Sequence, residues 1–226
     1  MIKSLDYYVC HLKVLYEDNH IIAVEKPENV LSQKDITGDI DITDIVKEYL
    51  KRKYNKPGNV YLGLIHRLDR RVGGVMILCK TSKAASRLSE NIRLLNGFDK
   101  YYLACVNGEL KEDGIINVNI RKENKKAIIS NDGKNSLLEY KYINGNVDRS
   151  YLEVKLYSGR YNQIRASFAS INHPIFGDSK YGADKEDHIG LWCYKVIFSH
   201  PVTKEAIEVI DLPKNNLWKE LCYKYN

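Results

Sequence analysis

Between residues 151 and 157 the side chains alternate strictly, with Leu152, Val154 and Leu156 on one side and Glu153 and Lys155 on the other. A period of two belongs to an extended strand with one face on a core. Apolar strand-like runs recur at 12–16, 21–25, 75–78, 101–106, 115–120, 127–130, 137–142, 191–198 and 206–210. Helical spacing is confined to a few places. Ile42, Ile45, Val46, Tyr49 and Leu50 mark an amphipathic helix over 41–53, broken by Pro57-Gly58. Thr81-Ser82 can cap a second helix, with Ala84, Leu88, Ile92 and Leu95 on its apolar side and Asn96-Gly97 at its end. A third runs over 163–171 with Ile164, Phe168 and Ile171 on one face, and Trp218, Leu221 and Cys222 suggest a short closing helix. Many strands, few helices and hairpins such as the one turning at Asp18-Asn19 predict an α+β fold. Its sheet should be mixed, largely antiparallel and flanked by helices.

The 226 residues show no internal repeat and no low-complexity linker, so a single domain over 1–226 is expected. The formal net charge of +6 suits a protein that meets phosphates on one face. The five cysteines, Cys10, Cys79, Cys105, Cys193 and Cys222, are odd in number and never closely spaced. That argues against a disulfide framework or a zinc site and for a reducing compartment, with Cys79, Cys105 and Cys193 as small core residues. The N-terminal stretch Met1–Asp6 lacks the apolar run of a signal peptide, and no segment is apolar enough for a membrane span. A cytoplasmic protein acting as a monomer, away from membranes, is the expectation.

Chemistry is concentrated in His66-Arg67-Leu68-Asp69-Arg70-Arg71-Val72-Gly73-Gly74. One aspartate lies among cations that favour its ionised form, beside glycines that free the backbone, at the entry to the strand Val75-Met76-Ile77-Leu78. Taken alone this is a charged surface turn. Three distant segments change its weight: Lys100-Tyr101-Tyr102-Leu103-Ala104; Ser158-Gly159-Arg160-Tyr161-Asn162-Gln163-Ile164-Arg165; and Pro174-Ile175-Phe176-Gly177-Asp178-Ser179-Lys180-Tyr181-Gly182.

In this order the four segments resemble the signature of the RluA-type RNA pseudouridine synthases: an H-R-L-D loop, a K-x-Y-L-A strand, a G-R-x-H-Q-I-R segment and a P-I-x-G-D-x-x-Y-G turn. Residues 14–18 and 21–27 resemble that family's first hairpin, which Lys26-Pro27 would end. The resemblance spans about Lys13 to about Trp218 and implies a long curved sheet flanked by helices, with the active cleft crossing it. It also implies conversion of uridine to pseudouridine in structured RNA, ribosomal or transfer. The family's N-terminal RNA-binding module of about sixty residues has no counterpart before the catalytic pattern, so the catalytic domain is expected to bind RNA unaided.

The resemblance makes Asp69 the catalytic carboxylate, Tyr102 the active-site tyrosine and Arg165 the partner that holds Asp69 by a charge-assisted pair. Tyr101 competes with Tyr102, since neighbours on a strand face opposite ways; the family pattern favours Tyr102. Arg67, Arg70, Arg71 and Arg160 are candidate RNA contacts. The basic run Arg121–Lys126 reads as an ordinary turn between strands, His66 as a structural histidine, and Asp178 and Tyr181 as turn formers. The reaction adds no atoms, and the sequence has no P-loop, dinucleotide fingerprint or metal-ligand spacing. No cofactor, nucleotide or metal is expected.

Three positions, in two segments, depart from the family pattern. Where the family has D-x-x-T-S-G, this chain has Asp69-Arg70-Arg71-Val72-Gly73-Gly74, which loses two hydroxyls and predicts a more mobile loop. Where the family has histidine, Asn162 stands, expected as a helix N-cap that does not titrate. These changes leave open an alternative: an RNA-binding protein of the same fold with lost or weak turnover. A glycosidase or nucleosidase is a third reading, but no acidic partner for Asp69 stands out.

Overall fold

The computed structural model describes residues 3–222, so Met1 and Ile2 lie outside it. Cys222 ends a helix, but its side chain is outside the described set. In chain order the elements are α1 (Leu5–Cys10), β1 (Val14–Glu17), β2 (Ile21–Lys26), α2 (Ile42–Lys53), β3 (Gly63–Leu64), β4 (Gly73–Cys79), α3 (Ser82–Arg93), β5 (Phe98–Asn107), β6 (Gly114–Glu123), β7 (Lys126–Ile129), β8 (Lys134–Gly145), β9 (Arg149–Leu156), α4 (Gln163–Ser170), β10 (Leu191–Ser199), β11 (Ala206–Ile210) and α5 (Lys219–Cys222). The strands pair antiparallel and the helices are few, so the α+β class read from the alternation holds. No helix among the described residues is long and apolar enough to cross a membrane.

The chain divides into two compact units. Among the described residues, one unit comprises 3–98 and Lys195–Asp211, and the other comprises Asp99–Tyr194 and 212–222.

In the first unit β2 pairs with β1 on one side and β4 on the other, with Val24 opposite Met76 and Lys26 opposite Gly74. Ile22, Val24, Met76 and Leu78 alternate out of these strands onto Ile42, Ile45, Val46 and Leu50 of α2. Those four α2 residues are the stripe that helical spacing marks. Asp41 caps α2 by accepting from the Asp44 N–H at 2.9 Å, and Thr81 caps α3 through the Ala84 N–H at 3.2 Å. The sequence reading missed α1: it is one and a half turns long, and its apolar residues Leu5, Tyr8 and Val9 pack against this core from outside.

Glu17 at the end of β1 gathers Lys53 (2.7 Å), Lys80 (2.8 Å) and the Tyr54 hydroxyl (2.7 Å). Desolvation of the carboxylate works against its charge, but these three donors outweigh it and hold Glu17 at about 2.

In the second unit the strand order is β5-β9-β8-β6-β7. Tyr102 faces Val154, and Val154 faces Tyr140. Tyr140 in turn meets Phe168 of α4 edge-on, with ring centroids 5.4 Å apart. Thus α4 covers the sheet face that carries Tyr102. The opposite face packs Leu103, Cys105 and Tyr151 against Trp192, Tyr194, Trp218 and Leu221.

Because the Glu17 carboxylate titrates lower when folded than unfolded, its contribution is present above about pH 4.5 and is lost as the pH falls toward 2. Urea denaturation along this acid limb should show wild type losing stability that Glu17→Gln has already lost, so the two curves converge toward pH 2.

Candidate active site

Asp69 lies on an irregular segment that enters β4 through a turn, its carbonyl accepting from the Val72 N–H at 3.0 Å. Leu68 and Val72 are buried on either side, Asp69 is half-buried, and Arg67 is exposed. Apolar anchors before and after a polar residue force it to the rim of the core. Contrary to the expected mobile loop, Gly73 and Gly74 are buried strand residues, and Gly74 (φ 119°) pairs with Lys26 across the ladder. Positive φ is where glycine is needed, and here it serves strand geometry rather than mobility.

Four side chains fasten the Asp69 segment. Ser32 Oγ donates to the Leu68 carbonyl at 2.6 Å and accepts the Leu68 N–H at 3.0 Å. Lys26, with no exposed surface, donates to the carbonyls of Pro27 (2.9 Å), Val30 (2.8 Å) and Arg70 (3.2 Å). Arg70 donates to the Asn29 carbonyl at 3.2 Å and pairs with Asp39 at 2.7 Å. His66 Nε2 accepts the Ile77 N–H at 2.9 Å, the structural role the sequence assigns it. Burial drives Lys26 down to about 7, opposed first by the negative charge of Asp69 and then by that of Glu28. The sequence reading made Lys26 only the end of a hairpin and missed Ser32. A lysine closing an apolar strand before proline is a signal for the first; nothing local marks the second.

In the second unit, Tyr101 and Tyr102 separate as alternation demands. Tyr101 lies under Lys155, 5.4 Å from ring centroid to Nζ, on the face with Leu103; Tyr102 is buried on the α4 face. Arg165 is buried in the first turn of α4 and makes a two-pronged pair with Asp178, Nε at 2.6 Å and Nη2 at 2.7 Å. Asp178 was expected to shape a turn. It does, through the Tyr181 N–H, and it also binds two of the five guanidinium donors. Removing one partner of such a buried pair costs about 3–5 kcal/mol, because the other charge is stranded.

Asn162 is not the N-cap expected of it: it adopts φ 48°, ψ 31° and makes no side-chain cap bond. Asparagine tolerates this left-handed conformation. Its side-chain oxygen instead accepts from the Tyr181 hydroxyl and Lys180, each at 3.2 Å, while the Tyr181 hydroxyl accepts the Ala127 N–H at 2.8 Å. Arg160 is exposed, with Nε on the Asn135 carbonyl at 3.0 Å. Each unit thus holds its share of the residues: Asp69, Arg67, Arg70 and Arg71 with Lys26 in one; Tyr102, Arg160 and Arg165 with Asp178 in the other.

Comparison with known proteins agrees with the motifs. The RNA pseudouridylate synthase family matches residues 20–170. An uncharacterised RNA pseudouridine synthase of Mycobacterium bovis is 31% identical over 212 residues, covering 88% of this chain and 68% of the relative. Ribosomal large subunit pseudouridine synthase D of Xanthomonas campestris is 32% identical over 174 residues, 76% of this chain and 52% of that protein. The solved structure of human RNA pseudouridylate synthase domain containing 4 superposes with a TM-score of 0.78 at 19% identity, covering 93% of each chain, a likeness of fold. This chain belongs to the RNA pseudouridylate synthase family, a family of isomerases.

Ser32→Ala leaves the Leu68 N–H and carbonyl without their partner in a buried site. It should lower unfolding stability by about 1–3 kcal/mol in urea titrations, and native-state hydrogen exchange should speed up at Leu68.

Proposed function

We propose that this protein converts uridine to pseudouridine within folded RNA, that the RNA is ribosomal, and that Asp69 is the reacting carboxylate. The observation that carries the reading is Asp69 itself, standing at the family's H-R-L-D position on a segment clamped by Lys26 and Ser32 with a buried cation behind it. The ribosomal assignment draws on relatives named for the large ribosomal subunit.

In the reaction the bond between C1′ and N1 breaks, the uracil turns, and a bond from C1′ to C5 forms. The C5 proton leaves and N1 gains one, so nothing is added or lost overall. An ionised carboxylate serves each route to this outcome: attack at C1′, attack at C6, or removal of a sugar proton. Tyr102 offers an aromatic plane to the base and a phenol to relay a proton. Arg165, already aligned by Asp178, is assigned to hold Asp69 by a charge-assisted pair. A uridine in folded RNA must leave its stack to reach a recessed carboxylate, at a few kcal/mol. Arg67, Arg71 and Arg160 are assigned to phosphates or to the displaced partner base. Arg70, already engaged by Asp39 and Asn29, is assigned chiefly to clamping the segment.

The rival reading, a fold-retaining protein without turnover, rests on the changed loop. That change is absorbed by packing: Val72 is a core residue and Gly73 a strand residue.

Ribosomal RNA transcribed with tritium at uracil C5 provides the test, since forming the carbon–carbon bond expels that tritium. Wild type should release it, and Asp69→Asn should lose release by several orders of magnitude while still unfolding in a single cooperative transition. No release at enzyme levels stoichiometric with RNA, or full release by Asp69→Asn, contradicts the assignment.

A further inference from the structure

Lys100 is a cation that neither the fold nor the reaction described above uses. It lies two residues before Tyr102 on β5, so both side chains leave the same sheet face, roughly 7 Å apart. Its row across the sheet is apolar: Leu156 on β9 is opposite Lys100, and Leu138 on β8 is opposite Leu156. The ammonium lies against the segment entering α4, where a Cβ placed on Gly159 would sit 3.5 Å from Nζ. Cys193 flanks it from β10, and burial lowers its pKa from the ordinary lysine value. By contrast, Lys155 pairs with Asp99 at 3.7 Å and Lys180 reaches Asn162 at 3.2 Å. Lys100 makes no hydrogen bond or ion pair among the described residues.

A largely desolvated ammonium without an acceptor is unfavourable in the free protein. It becomes favourable when a ligand brings the anion. In RNA at neutral pH the anion is phosphate, since ribose and uracil carry no charge, and a lysine binds phosphate as a compact point charge. A Cβ at 159 would come into van der Waals contact with Nζ, so glycine there leaves that side of the ammonium less covered. The spacing from Lys100 to Tyr102 is one that a single nucleotide spans from its phosphate to its base.

We propose that Lys100 binds the phosphate flanking the uridine whose base lies on Tyr102, as a substrate-binding residue that anchors the target nucleotide on the β5 face. This rests on the RNA-isomerase reading, and its test is separable from that reading.

Binding of a short oligouridylate is measured against salt for wild type, Lys100→Met and Lys100→Arg, with steady-state tritium release run in parallel. One lost phosphate contact on single-stranded RNA should flatten the plot of log affinity against log salt by about 0.7. Affinity in Lys100→Met should fall on the order of tenfold, and in turnover the loss should fall on KM more than on kcat. Lys100→Arg should restore the salt slope. Lys100→Met should melt no lower than wild type, because it removes a desolvated charge and not a bonded one. An unchanged slope and KM overturn the proposal, and so does a lowered melting temperature with an unchanged slope, which makes Lys100 structural. Oligouridylate binding needs no turnover, so a wild type that binds yet releases no tritium defeats the isomerase reading while the slope still decides Lys100.

Discussion

One buried ammonium organises the Asp69 segment. Lys26 has three N–H donors and the structure gives each a carbonyl, from Pro27, Val30 and Arg70. Taking the charge out of water is costly, and the nearby Asp69 charge offsets only part of that cost, so the group still titrates down at about 7 while its three donors are satisfied by carbonyls. The attraction is mutual, so the carboxylate has a cation behind it that belongs to the fold rather than to the RNA. Because the Arg70 carbonyl lies one residue past Asp69, the lysine fixes the backbone on which the carboxylate is mounted. Ser32 does the same one residue earlier, through both polar atoms of Leu68. A carboxylate pinned on both sides in this way keeps its direction without help from substrate.

The second unit applies the same device to a cation. Arg165 is buried, and Asp178, with no exposed surface, occupies two of its donors and fixes the plane of the guanidinium. Tyr181, three residues past Asp178, stacks near Arg165 (5.1 Å from ring centroid to guanidinium carbon) and ties Asn162 to the β7 backbone. In each unit a candidate site side chain is positioned by a buried opposite charge or hydrogen bond from a distant stretch of chain. Around Val72 and Asn162, where the resembled family has other residues, the neighbouring segments are held by Lys26, Ser32, Asp178 and Tyr181.

Period and capping were readable from the sequence because they are local. The alternation of Leu152, Val154 and Leu156 is β9, Thr81 caps the helix it precedes, and the residues 101 and 102 fall on opposite faces as a strand requires. What could not be read depends on partners far away. Ser32 has no signal until Leu68 is beside it, and the Asp178 pair needs α4 in place. Gly73 and Gly74 look like a flexible loop until β2 pairs with them. Asn162 has the composition of an N-cap, yet the chain enters α4 through a left-handed residue, and its amide turns to Tyr181 and Lys180 instead. Tertiary context overrides local preference at these positions, as is usual where function is built.

The most direct measurement is a map of pseudouridines at single-nucleotide resolution in ribosomal RNA from cells with and without this gene, followed by treatment of the deficient RNA with purified protein. The account predicts that at least one site disappears without the gene, returns on incubation with wild type, and stays absent with Asp69→Asn. An unchanged map, or a site restored by Asp69→Asn as fully as by wild type, would contradict it.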